Sequence, residues 1–316
     1  MLRFALVGAG EHALKSHAPA LALYAERNEN AVELTSVCDV KYEKALKFCE
    51  KFEFVSGYSN INEMLKKEKI DACICTVPVP LILETASLLL SEGIPTLIEK
   101  PLGIHLDQSN ELAKIAQISG TKNMVSANRR FTPLFTQAID CSSKLGDIKY
   151  IRGLMARPNR KEAEFFWGTG VHIIDAMYRI AGPVNHFKVD KIMPKDKFGK
   201  WAHIDFVFEQ NCRGALDILP TCGVNMETYE LYGEGFHVCL QIKDFFKELV
   251  MRCWYENKLQ YENYVGAEEA FYIKDGSYAE LEEFINALNQ NRSPKPNIED
   301  FLSSTEIAFS VANEIA

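Results

Sequence analysis

A lysine follows a short apolar segment in the stretch Ile94 to Pro101. The apolar residues 94–98 predict a buried strand that stops just before Glu99 and Lys100. Ligands of open parallel sheets bind outside the carboxyl ends of the strands, so this lysine would present its ammonium group to a bound ligand. An ammonium group there can stabilise an alkoxide that develops during a reaction. A solvated surface lysine is the simpler interpretation, and the other motifs of the chain decide between the two.

A glycine-rich turn follows the first apolar strand, Leu2 to Val7, and precedes a predicted helix that ends near Arg27. The residues of the turn are Gly8, Ala9, Gly10, Glu11, His12 and Ala13. In the G-x-G-x-x-G/A fingerprint, the first glycine forms the turn, the second admits a pyrophosphate, and the third small residue packs helix on strand. A purely structural turn is the alternative. Because phosphate is negative, Glu11 has to point away from it.

Asp39 follows the second predicted strand, Glu33 to Cys38. A carboxylate at this strand end can accept hydrogen bonds from both hydroxyls of an adenosine ribose, and it repels a 2′-phosphate. The sequence therefore predicts NAD as the cofactor. NADP stays an alternative because the ammonium of Lys41 could partner a phosphate. Asp39 could also simply cap the helix that begins near Lys41.

His172 and Asp175 lie on neighbouring turns of a predicted apolar helix, Val171 to Ile180. An imidazole can exchange a proton near neutral pH, and Asp175 could orient the helix or the ring. A core histidine with satisfied hydrogen bonds is the alternative.

Earlier in the sequence, Arg157 begins a basic loop, residues 157–161, that could receive a phosphate or carboxylate of a substrate or could simply be solvated.

Two architectures follow one another along the chain. Six strands alternate with helices up to Ala127, which predicts an α/β fold with a doubly wound parallel sheet. Beyond Asn128, apolar residues alternate strictly, as they do in half-buried antiparallel strands. We therefore expect a Rossmann dinucleotide-binding domain at residues 1–127. Residues 128–316 are expected to form an α/β domain for substrate binding and oligomerisation.

Composition narrows the classes of partner. The 316 residues carry a net charge of −8, which disfavours binding to nucleic acid or to an anionic membrane. Nine dispersed cysteines and seven dispersed histidines form no C-x-x-C pair or metal-binding pattern, so no metal site is expected. The chain enters its first strand without a signal sequence or membrane span, which predicts a cytoplasmic protein.

The motifs together resemble the Gfo/Idh/MocA family of NAD(P)-dependent oxidoreductases over essentially the whole chain. The matching segments are Gly8-Ala9-Gly10, Asp39, Thr76-Val77-Pro78, Glu99-Lys100-Pro101, Asn128-Arg129-Arg130-Phe131 and Gly170 to Asp175. Family members generally pair a Rossmann domain with an α/β domain that has a large open sheet. They act mostly on sugars, polyols and nucleotide sugars. The short second domain resembles the branch of virulence-factor homologues.

The resemblance implies a role for individual residues. Lys100 and His172 would be catalytic. The cofactor would contact Gly8, Ala9, Gly10, Glu11, His12, Asp39, Thr76, Val77, Pro78, Glu99, Lys100 and Asn128. The substrate would lie near Arg157, Trp167, Gly168 and Asp175. Two departures stand out. Gly168 replaces the first aspartate of the family motif D-x-x-x-H, and Val77-Pro78-Val79-Pro80-Leu81-Ile82 stands where many members have the more polar T-P-N-x-x-H.

These residues leave three hypotheses of function. In the first, a dehydrogenase moves hydride between a sugar-like carbinol and nicotinamide, with Lys100 stabilising the alkoxide and His172 exchanging the proton. In the second, Gly168 marks an impaired, cofactor-binding regulator or sensor. In the third, transient oxidation supports hydrolysis of a glycoside.

The outer face of the second sheet, with Val207, Ala215, Leu219 and Cys239 among polar residues, predicts a homodimer or homotetramer.

Overall fold

The computed structural model describes residues 1–162, 164–192, 200–209 and 211–316. The chain divides into two compact units. The first consists of residues 1–128 and 276–303, and the second of residues 129–275 and 304–316.

The first unit contains a six-stranded parallel sheet. Its strands are β1 (Leu2–Val7), β2 (Val32–Cys38), β3 (Ser56–Tyr58), β4 (Ala72–Cys75), β5 (Thr96–Glu99) and β6 (Asn123–Ser126). The order across the sheet is β3-β2-β1-β4-β5-β6, which confirms the predicted doubly wound topology. The order reverses between β1 and β4, where such sheets bind their ligands.

Five helices alternate with these strands. They are α1 (Ala18–Arg27), α2 (Tyr42–Phe52), α3 (Ile61–Lys67), α4 (Ile82–Ser91) and α5 (Leu106–Ser119). A π-helical turn, Ala13–His17, leads into α1. Pro19 explains why this turn is π-helical and not α-helical, because proline lacks the backbone N–H that would donate to the preceding turn.

The second unit contains an eight-stranded sheet. Its strands are β7 (Ile148–Ala156), β8 (Val184–Ile192), β9 (Trp201–Phe208), β10 (Arg213–Leu219), β11 (Met226–Gly233), β12 (Phe236–Lys243), β13 (Glu248–Tyr255) and β14 (Lys258–Val265). The order is β14-β13-β12-β11-β7-β10-β9-β8, and β7 and β10 are parallel whereas the other described pairs are antiparallel. This mainly antiparallel sheet confirms the predicted α/β class.

Helices cover one face of this sheet. α6 (Pro133–Leu145) packs on β11, β12 and β13, and α7 (Val171–Ala181) packs on β7. A short α8 (Phe271–Lys274) follows β14. The alternating residues Ile204, Leu216 and Val238 are fully buried, as their period of two predicted.

Two further helices close the chain, α9 (Ser277–Asn289) and α10 (Ile298–Ile315). The sequence predicted a continuous second domain, yet residues 276–303 pack within the first unit. Phe284 lies edge-on to Phe4 of β1, at 6.2 Å between ring centroids. The backbone N–H of Val125 in β6 donates to the carbonyl of Pro296 at 2.8 Å. The amphipathic pattern of α9 predicted that one of its faces packs against the rest of the chain, but the pattern did not indicate which of the two sheets that face packs against.

The nine cysteines are free thiols, and each is buried or half-buried. Within the described residues, no helix is both long and apolar enough to cross a membrane.

Candidate cofactor and active site

The turn after β1 is built around Gly8. Its φ is +98°, and a Cβ atom there would lie 2.6 Å from the carbonyl oxygen of Thr76. The Gly8 N–H donates to the Cys38 carbonyl at 2.8 Å, and the Thr76 hydroxyl donates to the Gly8 carbonyl at 2.7 Å. Only glycine has both the backbone freedom and the small size for this position. The turn is thereby tied to the ends of β2 and β4.

Open space lies over the second glycine of the turn. A Cβ atom at Gly10 would meet no described heavy atom within 4 Å beyond its chain neighbours. Ala13 is buried and begins the π-helical turn. The Glu11 side chain is 81% exposed and pairs with Lys15 at 3.2 Å. The space over Gly10 is therefore open to an anion such as a pyrophosphate.

Asp39 lies beside the turn with both carboxylate oxygens held by backbone N–H groups. Oδ2 accepts from Ala9 at 2.8 Å, and Oδ1 accepts from Lys41 at 2.9 Å. The half-buried carboxylate is therefore fixed between the glycine turn and the start of α2. Each oxygen keeps a second lone pair, so the group can still accept ribose hydroxyls.

Alanine at the two glycines should separate folding from cofactor binding. Gly8→Ala should lower the free energy of unfolding by about 1–3 kcal/mol because it forces a side chain into positive φ and into Thr76. Gly10→Ala should leave stability unchanged yet weaken NADH binding about tenfold or more, because its methyl group occupies the open space. Urea unfolding without cofactor and a fluorescence titration with NADH measure the two effects. Equal stability of both variants would contradict this view of the turn.

Glu99 is the last residue of β5 rather than lying beyond it, and its carboxylate contacts two histidines. Glu99 Oε1 lies 2.7 Å from His17 Nε2 and 2.8 Å from His12 Nε2. Burial opposes ionisation of Glu99, but the two imidazoles hold the pKa of its carboxyl well below the usual range. The sequence predicted a cofactor contact for Glu99. In the structure the buried carboxylate contacts His12 and the π-helical turn that precedes α1, next to the strand end before Lys100.

His17 was missed by the sequence analysis. It is 1% exposed, whereas the His12 side chain is 46% exposed, and the two rings lie perpendicular at 5.1 Å between centroids. The π-helical turn between them places residues five apart about one turn apart. In an α-helix the same spacing would direct the two rings away from each other, so the α-helical pattern assumed from the sequence gave no signal.

Other predicted cofactor residues lie at the same edge of the sheet. Thr76 follows β4, with Val77 and Pro78 in the next turn, and Lys100 follows β5. Lys100 is partly buried, and Asn128 is 4% exposed just after β6. Since parallel strands end at one edge, these groups and the glycine turn lie at the same edge of the sheet, the edge at which open parallel sheets bind ligands.

In the second unit, His172 lies in the first turn of α7 and is partly exposed. A π-helical turn, Phe166–Gly170, precedes it. Trp167 stacks on Phe309, with 5.4 Å between ring centroids and an 18° angle between planes. A Cβ atom at Gly168 would meet no described heavy atom within 4 Å beyond its chain neighbours, so this position has room for a carboxylate.

Asp175 holds a different partner from the one predicted. It is 1% exposed, and its oxygens accept from Arg130 Nε at 2.7 Å, from Arg130 Nη2 at 2.6 Å, and from the Ser304 hydroxyl at 2.9 Å. These contacts attach the 3₁₀ turn at residues 128–131 to α7. They leave Asp175 as a structural anchor, in place of the predicted substrate contact or orienter of the His172 ring.

Arg157 is also a correction, because it is neither solvated nor open to a substrate. It is 4% exposed, and it shares the Glu227 carboxylate with Arg129, whose two bonds to Glu227 are 2.9 Å long. The Tyr229 hydroxyl donates to the same carboxylate at 3.1 Å. Burial opposes ionisation of Glu227, yet the two guanidinium groups lower its pKa to about 2.

Comparison with known proteins finds similarity to oxidoreductases. Residues 2–127 match the sequence model of an oxidoreductase family with an NAD-binding Rossmann fold. D-glucoside 3-dehydrogenase of Escherichia coli (strain K12) is 27% identical over 239 residues, which cover 68% of this chain and 66% of that protein. The curated relatives are matched over 40–66% of their lengths.

Solved structures resemble the whole chain. A dehydrogenase from Clostridium difficile superposes with a TM-score of 0.84 at 18% identity and covers 99% of both chains. Levoglucosan dehydrogenase in complex with NADH gives a TM-score of 0.83 at 16% identity, covering 99% of this chain and 96% of that one. These likenesses confirm the predicted fold of both units.

Proposed function

We propose that the chain is a dehydrogenase that uses NAD, since residues 2–127 match the Gfo/Idh/MocA oxidoreductase family, which has an NAD-binding Rossmann fold. Its substrate is a sugar, a polyol or a nucleotide sugar, and hydride moves between a carbinol carbon of that substrate and the nicotinamide. The observation that carries the proposal is the edge at which Gly8, Asp39 and Lys100 follow β1, β2 and β5.

The first unit fits a dinucleotide. The open space over Gly10 suits a pyrophosphate, and the fixed carboxylate of Asp39 suits an adenosine ribose. When bound, the nicotinamide supplies the hydride acceptor or donor. The contacts of Glu99 with His12 and His17 support the strand end from which Lys100 extends.

The substrate proton is handled by two side chains in this proposal. The ammonium group of Lys100 stabilises the developing alkoxide, and the imidazole of His172 accepts or returns the proton. Gly168 supplies no carboxylate to assist the imidazole. Lys100 and His172 therefore carry the proton chemistry without a third group at that position.

Asp39 sets the choice of cofactor in this proposal. Asp39→Ala should narrow the preference for NADH over NADPH about tenfold or more, because the variant loses both the ribose contact and the repulsion of a 2′-phosphate. Fluorescence titrations of both cofactors with native protein and variant measure the change. Glu33→Ala, a change to a partly buried acid on the same strand, is the matched control. Tighter binding of NADPH than NADH by native protein would refute the assignment.

One assay separates dehydrogenase, regulator and glycoside hydrolase. Purified protein is incubated with NAD and a panel of sugars, polyols and aryl glycosides, while NADH absorbance and released aglycone are followed. The proposal expects NADH formation without aglycone. Aglycone release without net NADH would favour the hydrolase. If the native protein is inactive on the whole panel and Gly168→Asp is active, the regulator hypothesis replaces the proposal.

We also propose that the chain forms a homodimer or homotetramer through the outer face of the second sheet. Tyr150 and Tyr232 lie together on this face, and Tyr150 is 39% exposed. Light scattering that gives a single-chain mass at micromolar concentration would refute this assembly.

The free cysteines fit a cytoplasmic location, and the net charge of −8 disfavours nucleic-acid partners.

A further inference from the structure

Three side chains of metal-ligating type meet on the outer face of the second sheet, outside the site described above. Glu230 lies on β11, and His237 and Cys239 lie on β12. One nitrogen, one sulfur and one carboxylate oxygen from these residues all lie within 4.8 Å of one another. The sequence predicted no metal site because its histidines and cysteines are dispersed. Pairing of β11 with β12 brings these residues together in space although they are separated in the sequence.

The sheet register explains the cluster. His237 and Cys239 are two residues apart on one strand, so both side chains leave the same face. Glu230 is paired directly with Cys239 across the antiparallel ladder. Directly opposed residues approach closely, and the imidazole lies on the adjacent diagonal. The three ligands are therefore positioned by backbone pairing in two neighbouring strands, not by a loop.

His237 supplies an independent observation that points to a ligand. Its Nε2 atom is buried and makes no hydrogen bond within the described residues. The nearest carboxylate oxygen, on Glu230, lies 4.0 Å away, beyond hydrogen-bond distance. A tetrahedral cation bonded to both atoms at about 2.0–2.2 Å holds them about 3.3–3.6 Å apart, so the imidazole and the carboxylate need to approach each other by only about half an ångström. Buried polar atoms without partners call for an explanation of this kind.

The imidazole is also held in place. Its ring stacks between Tyr232, at 4.4 Å and 5°, and Trp254, at 5.1 Å and 10°. Two guanidinium groups face the same region, but Arg152 lies 3.8 Å from Asp217 and Arg252 lies 3.3 Å from Glu262. Their charge is thus partly neutralised by carboxylates outside the cluster.

We propose that Glu230, His237 and Cys239 bind one Zn²⁺ ion, with water in the fourth position. Zinc accepts this combination of oxygen, nitrogen and sulfur ligands. On binding, a Zn–S bond forms, the S–H bond breaks, and the proton leaves to solvent. The carboxylate and the thiolate then balance the two positive charges. No oxidation state changes.

A second cluster, His12, His17 and Glu99, has the same ligand types but a weaker case. Both of its imidazoles already contact the Glu99 carboxylate at hydrogen-bond distance. The cluster on β11 and β12 is the one with a buried nitrogen left without a bond.

Cobalt spectroscopy tests the proposal on the full-length protein after removal of metals with a chelator. Titration with Co²⁺ should give a sulfur-to-cobalt charge-transfer absorption that saturates at one equivalent and disappears when Zn²⁺ is added. Cys239→Ser should lose this absorption. Cys222→Ser, a change to another half-buried cysteine of the same unit, should retain it. Absence of the absorption in native protein, or its persistence in Cys239→Ser, would overturn the proposal.

Calorimetric titration with Zn²⁺ tests the imidazole. His237→Gln should weaken binding at least about tenfold. His203→Gln is the matched control and should leave Zn²⁺ binding unchanged. His203 lies on the same face of the sheet, but its imidazole contacts Asp217 at 2.7 Å and is outside the cluster. Circular dichroism and urea unfolding without metal establish that each variant is folded. A dissociation constant that changes with His203 and not with His237 would place the ion elsewhere.

Discussion

Lys100→Met is expected to lower kcat by about 10²–10³-fold while leaving the dissociation constant for NADH nearly unchanged. The expected loss follows from removing the ammonium group that stabilises the alkoxide in the transition state. NADH binding should survive because the glycine turn and Asp39, not Lys100, supply the expected contacts to phosphate and ribose. Steady-state kinetics on the first active substrate of the panel and a fluorescence titration with NADH give the two quantities.

Two control variants make this result interpretable. Lys100→Arg keeps the positive charge and should retain more activity than Lys100→Met, although its planar group fits the site differently. Lys122→Met removes a half-buried lysine of the same unit, one that donates to Asn291 at 2.6 Å, and should leave kcat unchanged. If Lys100→Met keeps native kcat, or if it loses NADH binding to the same extent as activity, the proposed role of Lys100 is wrong.

Glu227→Gln is expected to lower the free energy of unfolding by about 3–5 kcal/mol, because it leaves two buried guanidinium groups without their carboxylate. Glu227, Arg129 and Arg157 are all at least nine-tenths buried. Urea unfolding followed by circular dichroism measures the change. Glu262→Gln is the matched control, because it breaks the exposed pair with Arg252 and should cost no more than about 1 kcal/mol. Similar losses in both variants would contradict the assignment of the buried cluster.

The same carboxylate should give the stability a defined acid dependence. The pKa of Glu227 lies at about 2 in the folded chain, against 4.5 for an unperturbed glutamate. A depressed pKa means that the ionised group stabilises the fold fully above pH 4.5 and loses this contribution as the pH falls towards 2. Native protein should therefore lose stability across this window more steeply than Glu227→Gln. Parallel pH profiles of the two proteins would refute the link to Glu227.

The parts of the site that depend on neighbouring residues were predictable. The strand, the glycine turn and the following helix lie within residues 2–27, and the structure has each in that order. Asp39 could be predicted for the same reason, because it directly follows a buried strand. Gly8 shows the basis of this success: its positive φ and its contact with Thr76 leave glycine as the fitting residue.

Charge partners distant in sequence were not predictable. Arg157 has the composition of a solvated loop residue, but its partner Glu227 lies 70 residues further along the chain. The contact of His17 with Glu99 spans 82 residues. Asp175 was expected to serve the imidazole, yet Arg130 and Ser304 use its oxygens. A sequence shows that a charge is present, whereas only the folded chain shows which opposite charge neutralises it.

The return of residues 276–303 to the first unit has a consequence for synthesis on the ribosome. All six strands of that unit's sheet have been synthesised once residue 126 is added. The packing partner of Phe4, Phe284, and the acceptor of the Val125 N–H, the carbonyl of Pro296, are synthesised much later. At about 5–20 residues per second, the interval between residue 126 and residue 303 lasts on the order of ten seconds or more. During that time the nascent sheet lacks its last covering helix, and the face of Phe4 that later packs on Phe284 stays uncovered.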